Sequence, residues 1–184
     1  MTDAAETAAL LERVARLTQN LGNAEGLNSV QWETLRYFDR ANKFSRSPTG
    51  LTDYLGVTKG TVSQTINAVE RKGLVKKVGV PGNARSIRIE LSAKGKKLLA
   101  KNPLSALTED LDGLSPNEIQ RLNNSLRHVI ERSIARRGGS AFGVCKTCRH
   151  FEVDHRDGDP HRCKLLEVPL KESDSVLICR EHTA

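Results

Sequence analysis

Residues 51–99 read LTDYLGVTKGTVSQTINAVERKGLVKKVGVPGNARSIRIELSAKGKKLL, and the places where their periodicity changes decide the fold. Just upstream, Ser47-Pro48 supplies a helix cap followed by proline at the first helical position, where a missing N–H costs nothing. The short helix so opened runs to Leu55 and stops at Gly56. Thr58 caps a second helix that ends at Lys72-Gly73, with Val62, Ile66 and Val69 spaced to face a core. After Leu74 the period becomes two. Leu74–Val80 and Ser86–Leu91 read as strands joined by the turn residues 81–84, with Ile87, Ile89 and Leu91 on one side. Ser92–Lys101 returns to helix. Two helices across a tight turn, then a hairpin, make a winged helix-turn-helix.

Leu10, Val14, Leu17 and Leu21 mark an amphipathic helix ending near Gly22, and Val30, Leu35 and Phe38 mark another over Ser29–Ala41. Residues 103–113 show no decisive period. Ser115-Pro116-Asn117-Glu118 is a capping box that opens a long helix striped by Ile119, Leu122, Leu126, Val129 and Ile130. Arg136 to Ser140 closes it and forms a flexible Gly-rich hinge. The expected fold is mainly α with a small β-hairpin wing. Residues 1–139 are expected to form one domain, the winged helix with its flanking helices, and residues 140–184 a Cys-rich tail.

The net charge of +7 over 184 residues is unevenly spread. Between Arg40 and Lys101 there are 14 Lys/Arg and 3 Asp/Glu, whereas residues 145–184 carry 7 basic and 8 acidic side chains. A basic block in a folded region suits a polyanion, because binding releases condensed counterions. The opposite side of the Thr58–Lys72 helix carries Gly60, Ser63, Gln64, Asn67 and Arg71, side chains able to hydrogen-bond base edges or phosphates. Thr58, Lys59 and Thr61 stand at its start, where free N–H groups can hold a phosphate. Arg85 and Arg88 lie on the wing, within reach of a minor groove. No apolar run is long enough to span a bilayer, and the acidic, Ala-rich start is no export signal, so a cytoplasmic location is expected. No nucleophile–base pair or phosphate loop argues for an enzyme.

The quoted stretch resembles the winged-helix core of the MarR family of bacterial transcriptional regulators, closely over residues 27–99. The flanking helices over 4–21 and 116–137 resemble the family's dimerisation elements more loosely. The resemblance implies a homodimer whose two recognition helices enter successive major grooves of a pseudo-palindromic double-stranded operator. It also implies that Thr58–Arg71 is the recognition helix and Arg85 the wing-tip arginine. The acidic residue that family wings often carry ahead of that arginine is absent from Val80–Asn83. Many relatives bind small phenolic effectors, but no residue here marks such a ligand.

All four cysteines fall in the last 40 residues as Cys145-x2-Cys148-x14-Cys163-x15-Cys179, with His150, His155, His161 and His182 among them. Cysteines clustered in a cytosolic chain read first as a metal centre. The single C-x2-C pair followed by two lone cysteines favours a [4Fe–4S] cluster, whose iron atoms each need one thiolate. The alternative is zinc held by Cys145, Cys148, Cys179 and His182, which leaves Cys163 idle. Of the histidines, His182 and His161 are the two to test as ligands. Three functions follow: a regulator controlled by a redox- or iron-sensing cluster, a regulator with a structural zinc tail, and an electron-transfer or docking protein. Attached behind the last helix, the tail is expected to lie away from the DNA-facing surface and to act by setting the spacing of the two recognition helices.

Overall fold

The computed structural model describes residues 2–21, 24–80, 83–139, 142–153 and 159–183, with the side chains of residues 21 and 83–85 left aside. Seven helices precede the tail: α1 (Asp3–Leu21), α2 (Ser29–Arg40), α3 (Pro48–Leu55), α4 (Lys59–Arg71), α5 (Ala93–Leu99), α6 (Ser105–Asp112) and α7 (Pro116–Ala135). Between α4 and α5, strands β1 (Val75–Val80) and β2 (Asn83–Leu91) pair antiparallel with Val75 opposite Leu91.

Local signals place the boundaries. Asn28 caps α2, its side chain accepting from Gln31 N while Gln31 bonds back to the Asn28 N–H. Ser47 caps α3 with proline at its first turn, and Gly56 closes that helix in the left-handed conformation at φ 64°. Such a backbone favours glycine because a Cβ would crowd the following carbonyl. Ser92 caps α5, and the Ser115–Glu118 box opens α7. Residues 103–113, without a clear period in the sequence, hold α6, which buries no residue. The second wing strand begins at Asn83, three residues earlier than its alternation indicates, and its register shifts at Gly79/Val80.

The core gathers Trp32, Leu35, Tyr37 and Phe38 of α2, Leu51 of α3, Val62, Ile66 and Val69 of α4, and Leu74, Val75, Ile89 and Leu91 of the wing. Ile178, from the tail, is a member of the same core. Helices α1 and α7 stand apart from it: among the described residues neither buries a side chain, and Leu10, Val14, Leu17, Val129 and Ile130 remain exposed. An amphipathic helix whose apolar stripe meets no partner in its own chain needs one elsewhere.

The tail folds as short paired segments. Strand β3 (Gly143–Val144) pairs with β7 (Ile178–Cys179), and β4 (Phe151–Val153), β5 (His161–Cys163) and β6 (Val168–Leu170) form a three-stranded meander. Contrary to the expectation of a remote appendage, it packs on the corner between α2 and α3. Ala41 bridges Ile178 in parallel, the Asn42 N–H donates to the Ile178 carbonyl at 2.9 Å, and Phe142 sets its ring against Tyr37 and Tyr54. Burying Ile178 there offsets the ordering of the tail, since a fully buried aliphatic side chain contributes about 1.5–3 kcal/mol. The hinge residue Ser140 lies outside the described residues.

Candidate functional site

Helix α4 presents the polar face the sequence indicates. Thr58, Lys59, Gly60, Thr61, Ser63, Gln64, Asn67 and Arg71 are all exposed, while Val62, Ile66 and Val69 are buried. The Thr58 hydroxyl accepts from Thr61 N at 3.2 Å and bonds the Thr61 hydroxyl at 2.9 Å, so the helix starts on two coupled side chains. Among the described residues Ser63, Gln64 and Arg71 have no side-chain partner, which leaves their donors and acceptors available.

Other members of the set are committed within the chain. Asn67 accepts from Lys77 Nζ at 2.8 Å, and the same ammonium pairs with Glu70 at 2.6 Å, tying α4 to the first wing strand. Arg88 sits mid-strand opposite Val78, its guanidinium forked onto Glu90 at 2.8 and 3.1 Å. Arg88 therefore braces the wing instead of extending from its tip. Arg85 belongs to β2, and the place of its side chain lies outside what the structure describes.

Residues 25–86 match the MarR family. The structure is similar to that of a MarR transcriptional regulator from Methanosarcina mazei Go1, at 25% identity over 72% of this chain and 96% of that one, with a TM-score of 0.58. It is also similar to Sco3205, a MarR family transcriptional regulator from Streptomyces coelicolor solved in complex with DNA (21% identity, 71% and 89% covered, TM-score 0.57). BldR, a transcriptional regulator from Sulfolobus solfataricus, is a third similar structure (20%, 72% and 99%, 0.56). No protein of curated function matches the chain. A MarR-type winged helix is thus the fold ahead of the tail, and over a quarter of this chain has no counterpart in these three structures.

The four cysteines converge from separate elements. Cys145 opens a short turn in which Cys148 N bonds the Cys145 carbonyl at 2.9 Å, Cys163 ends β5, and Cys179 ends β7. All four line one cavity, open on one side, whose wall includes Phe44, Phe151, Leu165 and Leu170. Among the described residues, no three Cys, His, Asp or Glu side chains converge closely enough to hold a single metal ion. The thiols ring a space; they do not meet at a point.

Hydrogen-bond donors face the sulfurs. Asn42 Nδ2 donates to Cys145 Sγ and Thr183 N to Cys148 Sγ, each at 3.5 Å. Cys145 and Cys179 lie within hydrogen-bond reach: the Cys145 thiol donates to the Cys179 sulfur, bringing the Cys179 pKa down to about 6 and pushing that of Cys145 up. Asn42, the Glu181 N–H and Ser45 add to the stabilisation of the Cys179 thiolate. A thiolate that accepts several donors is the form that ligates metal.

Neither histidine singled out from the sequence is on the cavity wall. His161 packs its ring at a tilt against Phe151 and bonds Glu172 at 2.7 Å, and His182 sits against Gly143 with Nε2 at 3.0 Å from the Thr147 hydroxyl. His150 lines the cavity instead, while His155 lies outside the described residues. Sequence reasoning missed Asn42, which donates to the Cys145 sulfur, and Ser45, which accepts from the N–H next to Cys179, although both belong to the winged helix. The apolar pair Leu177-Ile178 beside Cys179 was the available signal that the tail packs against something.

Proposed function

We propose that the protein is a homodimeric, sequence-specific DNA-binding transcriptional regulator whose four cysteines hold a [4Fe–4S] cluster that reports redox or iron status. The observation that carries the DNA-binding reading is the exposed face of α4, with Ser63, Gln64 and Arg71 unpartnered beside a basic wing. Regulators solved with DNA, MepR of S. aureus and Sco3205 among them, share the fold and lend it support. The uncovered apolar stripes of α1 and α7 support the dimer. Among the described residues no helix is long and apolar enough to cross a membrane.

For the tail, the supporting observation is the ring of four thiols around one largely apolar cavity. Such a donor set fits a cubane, whose corners are separate and each take one thiolate, better than it fits one tetrahedral ion. The zinc alternative also needs His182, whose ring is engaged with Thr147 off the cavity wall. When bound, the cluster supplies a one-electron redox couple. The chain's own residues hold it through Cys145, Cys148, Cys163 and Cys179, donate N–H groups to the sulfurs, and shield one side with Phe44, Phe151, Leu165 and Leu170.

Anaerobic purification with iron, sulfide and zinc analysis tests the centre. Four irons per chain and a brown absorbance lost in Cys163→Ser bear the proposal out, whereas a colourless protein with one zinc retained in Cys163→Ser refutes it. Binding to a duplex selected from random sequence tests the reading head: it should fall steeply with salt yet survive competitor DNA. Equal affinity for selected and random duplex refutes sequence-specific recognition.

A further inference from the structure

We propose that residues 41–47, the corner between α2 and α3, couple the cysteine centre to the DNA-reading head, an inference that rests on the tail binding a metal group. One buried amide performs both halves of the connection. Asn42, 2% exposed, donates from Nδ2 to the Cys145 sulfur, while its Oδ1 accepts from Phe44 N at 3.1 Å and Ser45 N at 2.9 Å, the bonds that shape the corner. Ser45 ties in the other end: its hydroxyl accepts at 2.9 Å from the N–H of Arg180, the residue after Cys179, and its carbonyl accepts from the Tyr37 hydroxyl at 2.6 Å.

From the corner the connection runs outward in two directions. The Arg46 carbonyl accepts from Ile89 N at 2.8 Å, which pins the corner to wing strand β2, and Arg46 Nε returns to the Ala41 carbonyl at 2.8 Å. Ser47 caps α3, so the corner also sets where the first helix of the helix-turn-helix begins. Arg180, the neighbour of Cys179, pairs with Asp53 on α3 at 2.5 Å. Helix α3 packs on α4. A change of charge or position at the sulfurs therefore alters groups that fix both the wing and α3, with no more than two residues between thiol and reading head. Slack is small: a Cβ at Gly50 would strike the Ser45 carbonyl and the Tyr37 hydroxyl. A close-packed junction of this kind transmits displacement because it cannot absorb it.

This replaces the expectation of a distant tail acting through dimer spacing. Coupling requires that loaded and stripped states differ in affinity for DNA, typically by about 5–150-fold. The test uses the full chain and a fluorescent duplex selected by the parent protein, with anisotropy read on iron- and sulfide-loaded and chelator-stripped samples. Asn42→Asp keeps the acceptor for Phe44 N and Ser45 N but loses the donor to Cys145, and Asp53→Asn loosens Arg180 without touching a thiol. The parent should show a ratio within the range above, and both variants a ratio within about threefold of one. Asp53→Asn should keep the parent's iron content and visible spectrum. A parent ratio of one at full iron content, or an undiminished ratio in both variants, overturns the coupling. Should Asn42→Asp fail to fold or load, Asp53→Asn alone decides. A parent that takes up no metal defeats the cluster reading separately, and hydrogen exchange then judges the corner. Faster exchange over residues 41–55 in Arg180→Ala supports it, and unchanged exchange overturns it.

Discussion

Replacing Ile178 with alanine tests whether the tail is structurally part of the reading head. Ile178 is 6% exposed and belongs to the core that holds Trp32, the single tryptophan of the chain, itself 0% exposed. The substitution removes three carbons, worth about 2.4 kcal/mol at roughly 0.8 kcal/mol per buried methylene. Incomplete collapse of the space adds a cavity cost, and comparable substitutions fall at about 2–5 kcal/mol. We therefore expect about 3 kcal/mol, or a melting temperature lower by roughly 6–12 °C in a chain of this size. Urea unfolding at fixed protein concentration, followed by Trp32 fluorescence, reads the effect where it matters. With a urea slope of about 2 kcal/mol/M the midpoint should drop by about 1.5 M at unchanged slope. A tail that merely hung from α7 would leave the Trp32 transition in place. A midpoint shift below about 0.3 M would refute the shared core.

Gln64→Ala should weaken binding to the selected duplex by about 1–3 kcal/mol and relax base preference at one position, read by anisotropy against single-base variants. Arg88→Ala should lower thermal stability by at most about 1 kcal/mol and leave the salt slope of DNA binding unchanged, because its guanidinium is spent on Glu90. Leu17→Glu or Val129→Glu should turn the dimer into monomer or aggregate in light scattering, since both positions are exposed in a single chain. Gly50→Ala should destabilise the fold by 2 kcal/mol or more, an order-of-magnitude figure for overpacking, because the Ser45 carbonyl in its way is backbone.

The reading head was legible because its signals are local. A cap with proline at 47–48, a left-handed glycine at 56, a cap at 58 and a change of period after 74 each act within a few residues, and each stands where the structure places it. Helix α6 escaped notice because it buries nothing and so leaves no stripe, and its preceding residue, Leu104, makes no side-chain cap. The pairing of Arg88 with Glu90 follows from the same alternation, which sets residues two apart on one face of a strand, but it was not drawn from the sequence. The four cysteines were legible as a set. Their surroundings were not, because Asn42 and Ser45 are separated from Cys145 and Cys179 by more than a hundred residues, and nothing in a two-residue strand such as β7 names its partner. The docking of the tail turns on a few apolar side chains, Ile178 in the core with Phe142 and Val144 packed against it.

That side chain also orders the events of synthesis. The core opens at Leu27 and includes Ile178, so the winged helix cannot complete its packing while residues 27–99 alone have left the ribosome. Folding units that form as the chain emerges would hold an unfinished seam at the α2–α3 corner until β7 arrives, a contact of high sequence separation and correspondingly slow closure. A polypeptide broken off between Arg71 and Ile178 would carry the whole of α4 and yet lack the piece that seals its scaffold. Interrupted products would then be short-lived in the cell, because proteases cleave what opens most often. A segment that emerges more than a hundred residues after α4 thus completes the scaffold on which that helix rests.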